Sequence, residues 1–133
     1  MALQLEIVAP DRVVLSTEAE YVSLPGVEGE FGILPGHIPF FAALKVGYMH
    51  YVREGKSIYA TLSGGFAEVM DNRVRVLVNA GELASEIDAN RAEAALKRAQ
   101  ERLSAVKRDN IDVARAEAAL QRALARLQAA HFK

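Results

Sequence analysis

The sequence contains no cysteine and only three histidines, His37, His50 and His131. The lack of cysteine excludes a disulfide framework and thiolate chemistry. The histidines are scattered and have no acidic residue at ligand spacing, so no metal site is predicted. The sequence also lacks a glycine-rich phosphate loop and a nucleophile elbow. No set of residues therefore predicts catalysis.

A long uninterrupted apolar run is missing as well. The most apolar region, ILPGHIPFFAALKVGYMHYV at 33–52, is broken by two prolines, by glycines and by Lys45. A membrane-spanning helix needs about 20 consecutive apolar residues, so no span is predicted. The N-terminus, MALQLEIVAPDRVV, has no basic region followed by an apolar run and is not typical of a signal peptide. We expect a cytosolic protein or a soluble part of a larger assembly.

Charge is nearly balanced over the chain, whose formal net charge is −1, but it is unevenly spread. Residues 1–84 carry six Lys/Arg and ten Asp/Glu, whereas residues 85–133 carry ten and seven. A weakly acidic first part and a weakly basic second part indicate two surfaces with different partners. Neither part is basic enough to predict nucleic-acid binding, and aromatic and basic residues do not interleave.

Short alternating segments predict β-strands over about residues 1–84. The segment LQLEIVA at 3–9 alternates apolar and polar side chains, and AEYVSL at 19–24 follows a predicted break at 16–18. Many short strands at regular spacing, with no helical pattern between them, favour an antiparallel sandwich or barrel.

Turn residues divide this strand region. Glu54-Gly55 and Asp71-Asn72 each stand between two alternating segments and predict two hairpins. After Asp71-Asn72, valines alternate with arginines, which predicts one buried and one solvated side of a strand. Gly64 and Gly65 mark a further predicted break.

Residues 85–133 contain one helical sequence twice. IDANRAEAALKRAQERL at 87–103 and IDVARAEAALQRALARL at 111–127 are identical at twelve of seventeen positions. Strong helix formers dominate both copies. The sequence therefore predicts an α+β protein, in which an antiparallel two-helix hairpin at 85–133 follows the strand domain at 1–84.

Capping signals set the expected helix bounds. Ser85 with Asp88, and Asp109 with Asp112, resemble capping boxes, although Asp stands where Glu or Gln is usual. The expected elements are helices near 86–105 and 110–131 and a tight turn within 104–110.

The apolar stripes of the two helices consist largely of alanine. They comprise Ala92, Ala95, Leu96, Ala99 and Leu103, then Ala116, Leu120, Ala123, Leu124 and Leu127. A fully buried leucine contributes about 1.5–3 kcal/mol, and the single methyl group of alanine contributes far less. We expect helices that form well but associate weakly, so that the hairpin can open without melting.

Arginines recur at the same spacing in both helices. Arg91, Arg98 and Arg102 are repeated as Arg115, Arg122 and Arg126. Antiparallel pairing would bring Arg126 near Asp88 and Arg91. Converging guanidinium groups repel each other unless an anion or carboxylates neutralise them, and arginine is well suited to binding phosphate. The alternative is that these arginines are solvated and pair with glutamates on their own helix.

Two motifs point to a family. GEFGILPGHIPF at 29–40 and SGGFAEV at 63–69, together with the order of strand domain and helical hairpin, resemble the epsilon subunits of bacterial and chloroplast F-type ATP synthases. The resemblance covers essentially the whole chain. It implies an N-terminal β-sandwich in the central rotor stalk and a C-terminal hairpin that regulates ATP hydrolysis.

The resemblance also implies partners and a location. The sandwich would bind the gamma subunit and the c-ring, with Glu30 and His37 facing this rotor interface. The extended hairpin would reach the alpha/beta head, with Arg115, Arg122 and Arg126 as the basic side chains that contact it. The subunit would lie peripherally on the cytoplasmic side of the bacterial inner membrane or the stromal side of the thylakoid, without membrane insertion.

Some bacterial members of this family bind a regulatory ATP through a motif written I/L-D-x-x-R-A. Residues 87–92, IDANRA, match it. The implied ATP-binding residues are Glu82, Ile87, Asp88, Arg91, Ala92, Arg98, Arg122 and Arg126. ATP at this site would be sensed and not hydrolysed, and no role of magnesium is predicted. The alternatives are the same subunit without ATP binding, or an unrelated sandwich adaptor that docks on an acidic partner.

Overall fold

The chain folds into a strand-rich N-terminal part and two C-terminal helices, in a computed structural model that describes residues 2–109 and 113–131. The strands are β1 Leu3–Ala9, β2 Arg12–Ala19, β3 Tyr21–Gly26, β4 Gly29–Ile33, β5 Phe40–Arg53, β6 Lys56–Met70, β7 Arg73–Val78 and β8 Gly81–Leu83. A 3-10 helix at Ala84–Glu86 leads to α1, Ala89–Asp109, and α2, Val113–Ala130. The α+β class is confirmed.

The strands form one continuous hydrogen-bonded sheet in the order β2-β1-β7-β6-β5-β3-β4, with β8 also paired to β6. Leucine, isoleucine and valine side chains from both ends of this order share a single buried core, as Leu5 of β1 and Leu24 of β3 illustrate. The sheet therefore folds over on itself as a sandwich. The predicted antiparallel pairing is correct except between β1 and β7, which are parallel.

Both predicted hairpin turns are present. Glu54 and Gly55 have φ of 52° and 76°, and Asp71 and Asn72 have φ of 50° and 60°. Two successive positive φ values are typical of the two-residue turns that suit the twist of antiparallel strands. Beyond the second turn, the valines of β7 are buried and Arg73 and Arg75 are exposed, as the alternation predicts.

The predicted break at 16–18 is wrong. These residues lie inside β2 and pair with β1, Thr17 opposite Leu5 for example. Pairing with a central strand outweighs the weak turn preference of a Ser-Thr-Glu sequence. The chain bends instead at Glu20, between β2 and β3.

Gly64 and Gly65 do not separate two strands, because both lie inside the long strand β6. They have φ of 87° and 143°, and a Cβ atom on Gly65 would overlap the carbonyl oxygen of Leu77. Glycine is required here for a close approach of β6 to β7. The positive φ values allow β6 to bend within one continuous strand.

The first helix begins later than predicted. Ile87, after the 3-10 helix, is extended, with φ −77° and ψ 127°. The side chain of Asp88, and not that of Ser85, provides the cap, since its Oδ1 accepts the Arg91 backbone N–H at 3.1 Å. A carboxylate at this position satisfies a backbone donor that has no partner within the helix.

The prediction of a turn within 104–110 is wrong for residues 104–109, which are helical because α1 continues through Asp109. Good helix formers such as Ala105, Lys107 and Arg108 carry the helix onward. The second predicted capping pair, Asp109 with Asp112, falls outside the described side chains.

Alanine dominates the buried surface of the hairpin. Among the described side chains of the two helices, the buried ones, which we call the alanine seam, are Ala92, Ala99, Ala116, Ala123, Ala125 and Ala129. The stripe leucines, from Leu96 to Leu127, are half-buried. Helix α2 packs on β5 and β6, and α1 packs mainly on α2. Each of these alanines buries little area, and weak association of the helices stays a prediction.

Candidate functional site

The junction between sandwich and hairpin is a small apolar cluster. Ala84, Ile87, Ala92 and Ala129 are buried there, and Tyr59 packs against them. Ile87 is 1% exposed and Ala92 is fully buried. These two residues of the predicted ATP motif therefore hold the first turn of α1 against α2 and the sandwich.

A cavity of about 310 Å³ lies between α2 and the sandwich. Arg12, Glu82, Arg122 and Arg126 line it, together with Thr61, Ser63 and apolar side chains. The Nε atom of Arg126 donates to Oε1 of Glu82 at 3.1 Å, and both side chains are about one-third exposed. Three guanidinium groups and one carboxylate give this cavity an excess of positive charge.

A second cavity, of about 330 Å³, lies between the helices, and we call it the interhelical groove. Two arginines from each helix line it, Arg98 and Arg102 from α1 and Arg122 and Arg126 from α2. Four alanines complete its lining: Ala95, Ala99, Ala119 and Ala123. Small side chains on both helices leave room between them, and the arginines surround that room with donors.

Arg122 and Arg126 line both cavities. The fold therefore brings together Glu82, Arg98, Arg122 and Arg126 of the predicted site. An anion placed here would meet guanidinium groups from both helices, which can donate paired hydrogen bonds to phosphate or carboxylate oxygens.

The remaining predicted polar residues lie elsewhere. Asp88 and Arg91 are exposed at the first turn of α1 and line neither cavity. Asp88 is engaged as the helix cap described above. Arg115 is exposed near the start of α2, seven residues before Arg122.

Two arginines of the cavities were not among the predicted ligands. The sequence could have indicated Arg102, because it lies four residues after Arg98 and such residues share a helix face. No sequence pattern indicates Arg12, since only the tertiary fold brings it close to the cavity. Its Nη2 donates to the Gly81 carbonyl oxygen at 2.9 Å, and its Nη1 lies 3.9 Å from the Glu86 carboxylate. Arg12 thus ties β2 to the segment that leads into the hairpin.

Glu30 and His37 belong to a different part of the sandwich. The Ser23 hydroxyl donates to Oε1 of Glu30, whose side chain remains exposed on β4. The His37 Nδ1 atom lies 2.7 Å from the Ile38 carbonyl oxygen, and its ring packs edge-on against Phe40 at 5.9 Å. Glu30 and Phe40 also line one surface cavity.

An exposed apolar surface adjoins these residues. Phe41 and Phe66 stack at 5.5 Å and are 64% and 49% exposed. Ile38 is 72% exposed and Leu34 is 60% exposed. Exposed apolar patches of this kind mark interaction surfaces in soluble proteins.

No group of three metal-ligating side chains converges within the described residues. The helices, over the part of each that is described, are too short or too polar to cross a membrane. Burial raises the pKa of Tyr51 in the sandwich core, and nearby Arg53 opposes this effect.

Two family models match the chain. The beta-sandwich domain of the ATP synthase delta/epsilon chain matches residues 2–84, and the long alpha-helix domain of that chain matches residues 85–131. Together they account for nearly the whole sequence.

Individual proteins show the same likeness. The ATP synthase epsilon chain of Lawsonia intracellularis is 55% identical over 108 residues, which is 81% of each chain. That of Pelotomaculum thermopropionicum is 54% identical over 101 residues, covering 76% of this chain and 75% of the relative.

Solved structures agree. A chain of the Euglena gracilis mitochondrial ATP synthase OSCP/F1/c-ring assembly superposes with a TM-score of 0.80 at 27% identity, over 98% of this chain and 81% of that chain. A chain of the Tetrahymena thermophila mitochondrial ATP synthase central stalk and c-ring has a TM-score of 0.55 at 15% identity, over 68% and 72%, which shows likeness of fold alone. The chain therefore belongs to the delta/epsilon chain family of ATP synthase, and the interpretation as an unrelated sandwich adaptor is excluded.

Proposed function

We propose that the chain is the epsilon subunit of an F-type ATP synthase, a non-catalytic part of the central rotor stalk that couples the gamma subunit to the c-ring. One observation carries this proposal: sandwich and hairpin together superpose on a chain of an F1/c-ring assembly over 98% of this chain. Co-purification with gamma and c subunits tests it. A chain that associates with neither subunit would contradict it.

The proposed rotor interface includes Glu30 and His37 beside the exposed apolar surface. Glu30 offers a carboxylate to basic loops of the c-ring, and the exposed Phe41–Phe66 pair offers apolar area to a protein partner. Such an interface combines an apolar centre with a charged margin, as protein interfaces commonly do. Binding here would hold the subunit peripherally at the membrane face that carries the catalytic head.

The hairpin is proposed to regulate ATP hydrolysis by leaving the sandwich. In the folded form, Arg122 and Arg126 line cavities against the sandwich and α1. In an extended form the same arginines, with Arg115, would meet acidic surfaces of the alpha/beta head. One set of side chains cannot serve both positions at once, so the two positions would be alternative states.

ATP is proposed to stabilise the folded state as a regulatory ligand that is not hydrolysed. Glu82, Arg98, Arg122 and Arg126 adjoin the two cavities, and phosphates would relieve the repulsion among the guanidinium groups. Ile87 and Ala92 would support the site from the apolar junction. Asp88 and Arg91 line neither cavity, and their part in binding stays a prediction. A ligand shifts the balance only by its difference in affinity for the two states.

Calorimetry on the whole chain tests the nucleotide proposal. We expect heat on addition of millimolar ATP, and loss of that heat in the double variant Arg122→Ala/Arg126→Ala. The matched control is Arg73→Ala/Arg75→Ala, which removes two exposed arginines from β7 and keeps ATP binding. Unchanged binding in the first double variant would rule out the arginine site.

A second candidate is the same subunit without ATP binding. The Glu82–Arg126 ion pair favours it, because this pair already neutralises one arginine in the folded form. Absence of heat with wild-type protein would support this candidate and leave the rotor function intact.

A further inference from the structure

The segment between β4 and β5 is an exposed loop that contains a tight turn. The backbone N–H of His37 donates to the Leu34 carbonyl oxygen at 3.1 Å, and Gly36 has φ of 84°. Proline at the second position and a positive φ at the third are typical of a type II turn, which Leu34-Pro35-Gly36-His37 therefore forms. The hydrogen bond that closes this turn does not use the N–H group of Gly36.

Asn72, from the turn between β6 and β7, supplies an acceptor for that N–H group. Its Oδ1 atom accepts the Gly36 N–H at 2.7 Å, although the two residues are 36 positions apart in the sequence. The backbone carbonyl oxygen of Asn72 accepts the Gln4 N–H at 2.8 Å. One residue thus joins the loop at 34–38 to the β6–β7 turn and to β1.

The geometry of the β6–β7 turn holds this acceptor in place. Asn72 has φ of 60° and follows Asp71, which has φ of 50°. Asparagine is one of the few residues other than glycine that adopt this left-handed conformation readily. The side chain of Asn72 is half-buried, whereas Asp71 is exposed. The same turn therefore reverses the chain and fixes a neighbouring loop.

The loop held in this way displays apolar side chains to solvent. Leu34 is 60% exposed and Ile38 is 72% exposed. The ring of His37, between them, packs edge-on against Phe40 at 5.9 Å. Exposed apolar side chains that lie together are typical of an interaction surface. A partner that binds a loop already fixed in its bound shape avoids the entropy cost of ordering it.

We propose that Asn72 is a positioning residue for partner binding, which holds the loop at 34–38 in the conformation that a protein partner recognises. The partner offers an apolar surface that covers Leu34 and Ile38. This inference rests on the proposed rotor interface, to which His37 belongs, and extends it to a residue that acts through Gly36.

Three variants of the full-length chain test this inference. Asn72→Gly removes the side-chain acceptor but keeps the positive φ and the backbone hydrogen bond to Gln4. The matched control, Asp71→Gly, makes a similar change at the neighbouring position of positive φ. Asn72→Asp keeps an acceptor at the original place. Amide exchange at Gly36 is measured by nuclear magnetic resonance, and affinity is measured for the gamma subunit assembled with the c-ring.

We expect Asn72→Gly to speed amide exchange at Gly36 about three- to tenfold and to weaken partner binding by a similar factor. A change of this size corresponds to the loss of one hydrogen bond. Asp71→Gly leaves exchange and affinity at the wild-type values, and Asn72→Asp retains the protection of Gly36. Affinity is measured where circular dichroism shows the variants to be fully folded, so a purely structural role of Asn72 would leave it unchanged.

The outcomes separate this inference from the proposed function. Unchanged exchange at Gly36 in Asn72→Gly, or faster exchange with wild-type affinity, would overturn the positioning role and leave the rotor function standing. Equal losses of affinity in both glycine variants would assign the effect to the turn backbone and also overturn it. A wild-type chain that does not bind the assembled gamma subunit and c-ring removes the rotor function, and this inference with it.

Discussion

Gly65 shows how much of the sandwich depends on a single missing side chain. It has φ of 143° within β6, and a Cβ atom there would overlap the carbonyl oxygen of Leu77 on the neighbouring strand. The obstacle is backbone, which cannot move aside as a flexible side chain can. The bend of β6, and with it the folding over of the sheet, requires glycine at this position.

We predict that Gly65→Ala lowers the free energy of unfolding of the sandwich by more than about 3 kcal/mol, as urea denaturation would measure. The reason is a steric overlap added to the ordinary cost of a positive φ, which is about 1–2 kcal/mol for an L-residue. The control is Gly55→Ala. Gly55 also has positive φ, 76°, but has open space around it, so only the smaller cost applies. Equal effects of the two substitutions would contradict this account.

Residue-level patterns explain why some features were predictable and others were not. Glu54-Gly55 and Asp71-Asn72 are turn sequences with a local physical cause, and both turns were correctly predicted. Gly65 is also visible in the sequence, but its role depends on how closely β7 approaches. The contact of Arg12 with Gly81 joins residues far apart in the chain, and no local pattern indicates it.

The hairpin combines strong helix-forming residues with a buried surface of small side chains. Its buried side chains are alanines, and α1 reaches the rest of the chain mainly through α2. Ile87 is the largest fully buried side chain at the junction. The attachment of the hairpin therefore depends on this one side chain more than on any single alanine of the seam.

We predict that Ile87→Ala destabilises the docking of the hairpin by about 2–4 kcal/mol while the sandwich keeps its stability. Hydrogen exchange followed by mass spectrometry would show faster exchange in α1 and α2 and unchanged exchange in β1 and β7. Val76→Ala, in the sandwich core, should speed exchange in β1 and β7 and leave exchange in α1 and α2 unchanged. If Ile87→Ala also speeds exchange in the sandwich, the two parts unfold as one unit and the weak attachment is refuted.

At the level of elements, the repeat allowed both helices and their stripes to be predicted, since periodicity is a local property. The ends of the helices were harder to predict from the sequence. The extended Ile87 delays α1 because its side chain is buried against the sandwich, a contact that a single helix does not reveal. Antiparallel pairing predicted that Arg98, Arg122 and Arg126 converge. It did not predict that Arg91 is exposed outside both cavities.

For the whole molecule, we propose that one set of arginines serves two exclusive arrangements. Arg122 and Arg126 line cavities in the folded form, where Glu82 neutralises only part of their charge. Like charges in this folded form oppose the small apolar gain of the alanine seam. A polyanion would remove that opposition, so we expect the position of the hairpin to respond to nucleotide. To change the ratio of folded to extended hairpin from 1:99 to 99:1, the nucleotide would have to bind the folded form more tightly than the extended form by about 5.5 kcal/mol.

The absence of cysteine permits a direct measurement of this response, since two labels can be introduced without background. Spin labels at Lys56→Cys on the sandwich and Gln128→Cys on α2, both exposed positions, report the distance between sandwich and hairpin by pulsed electron resonance. We predict two distance populations without nucleotide, and one short-distance population with ATP that the additional change Arg122→Ala/Arg126→Ala abolishes. A single short distance with and without ATP would contradict a hairpin that opens and is closed by phosphate.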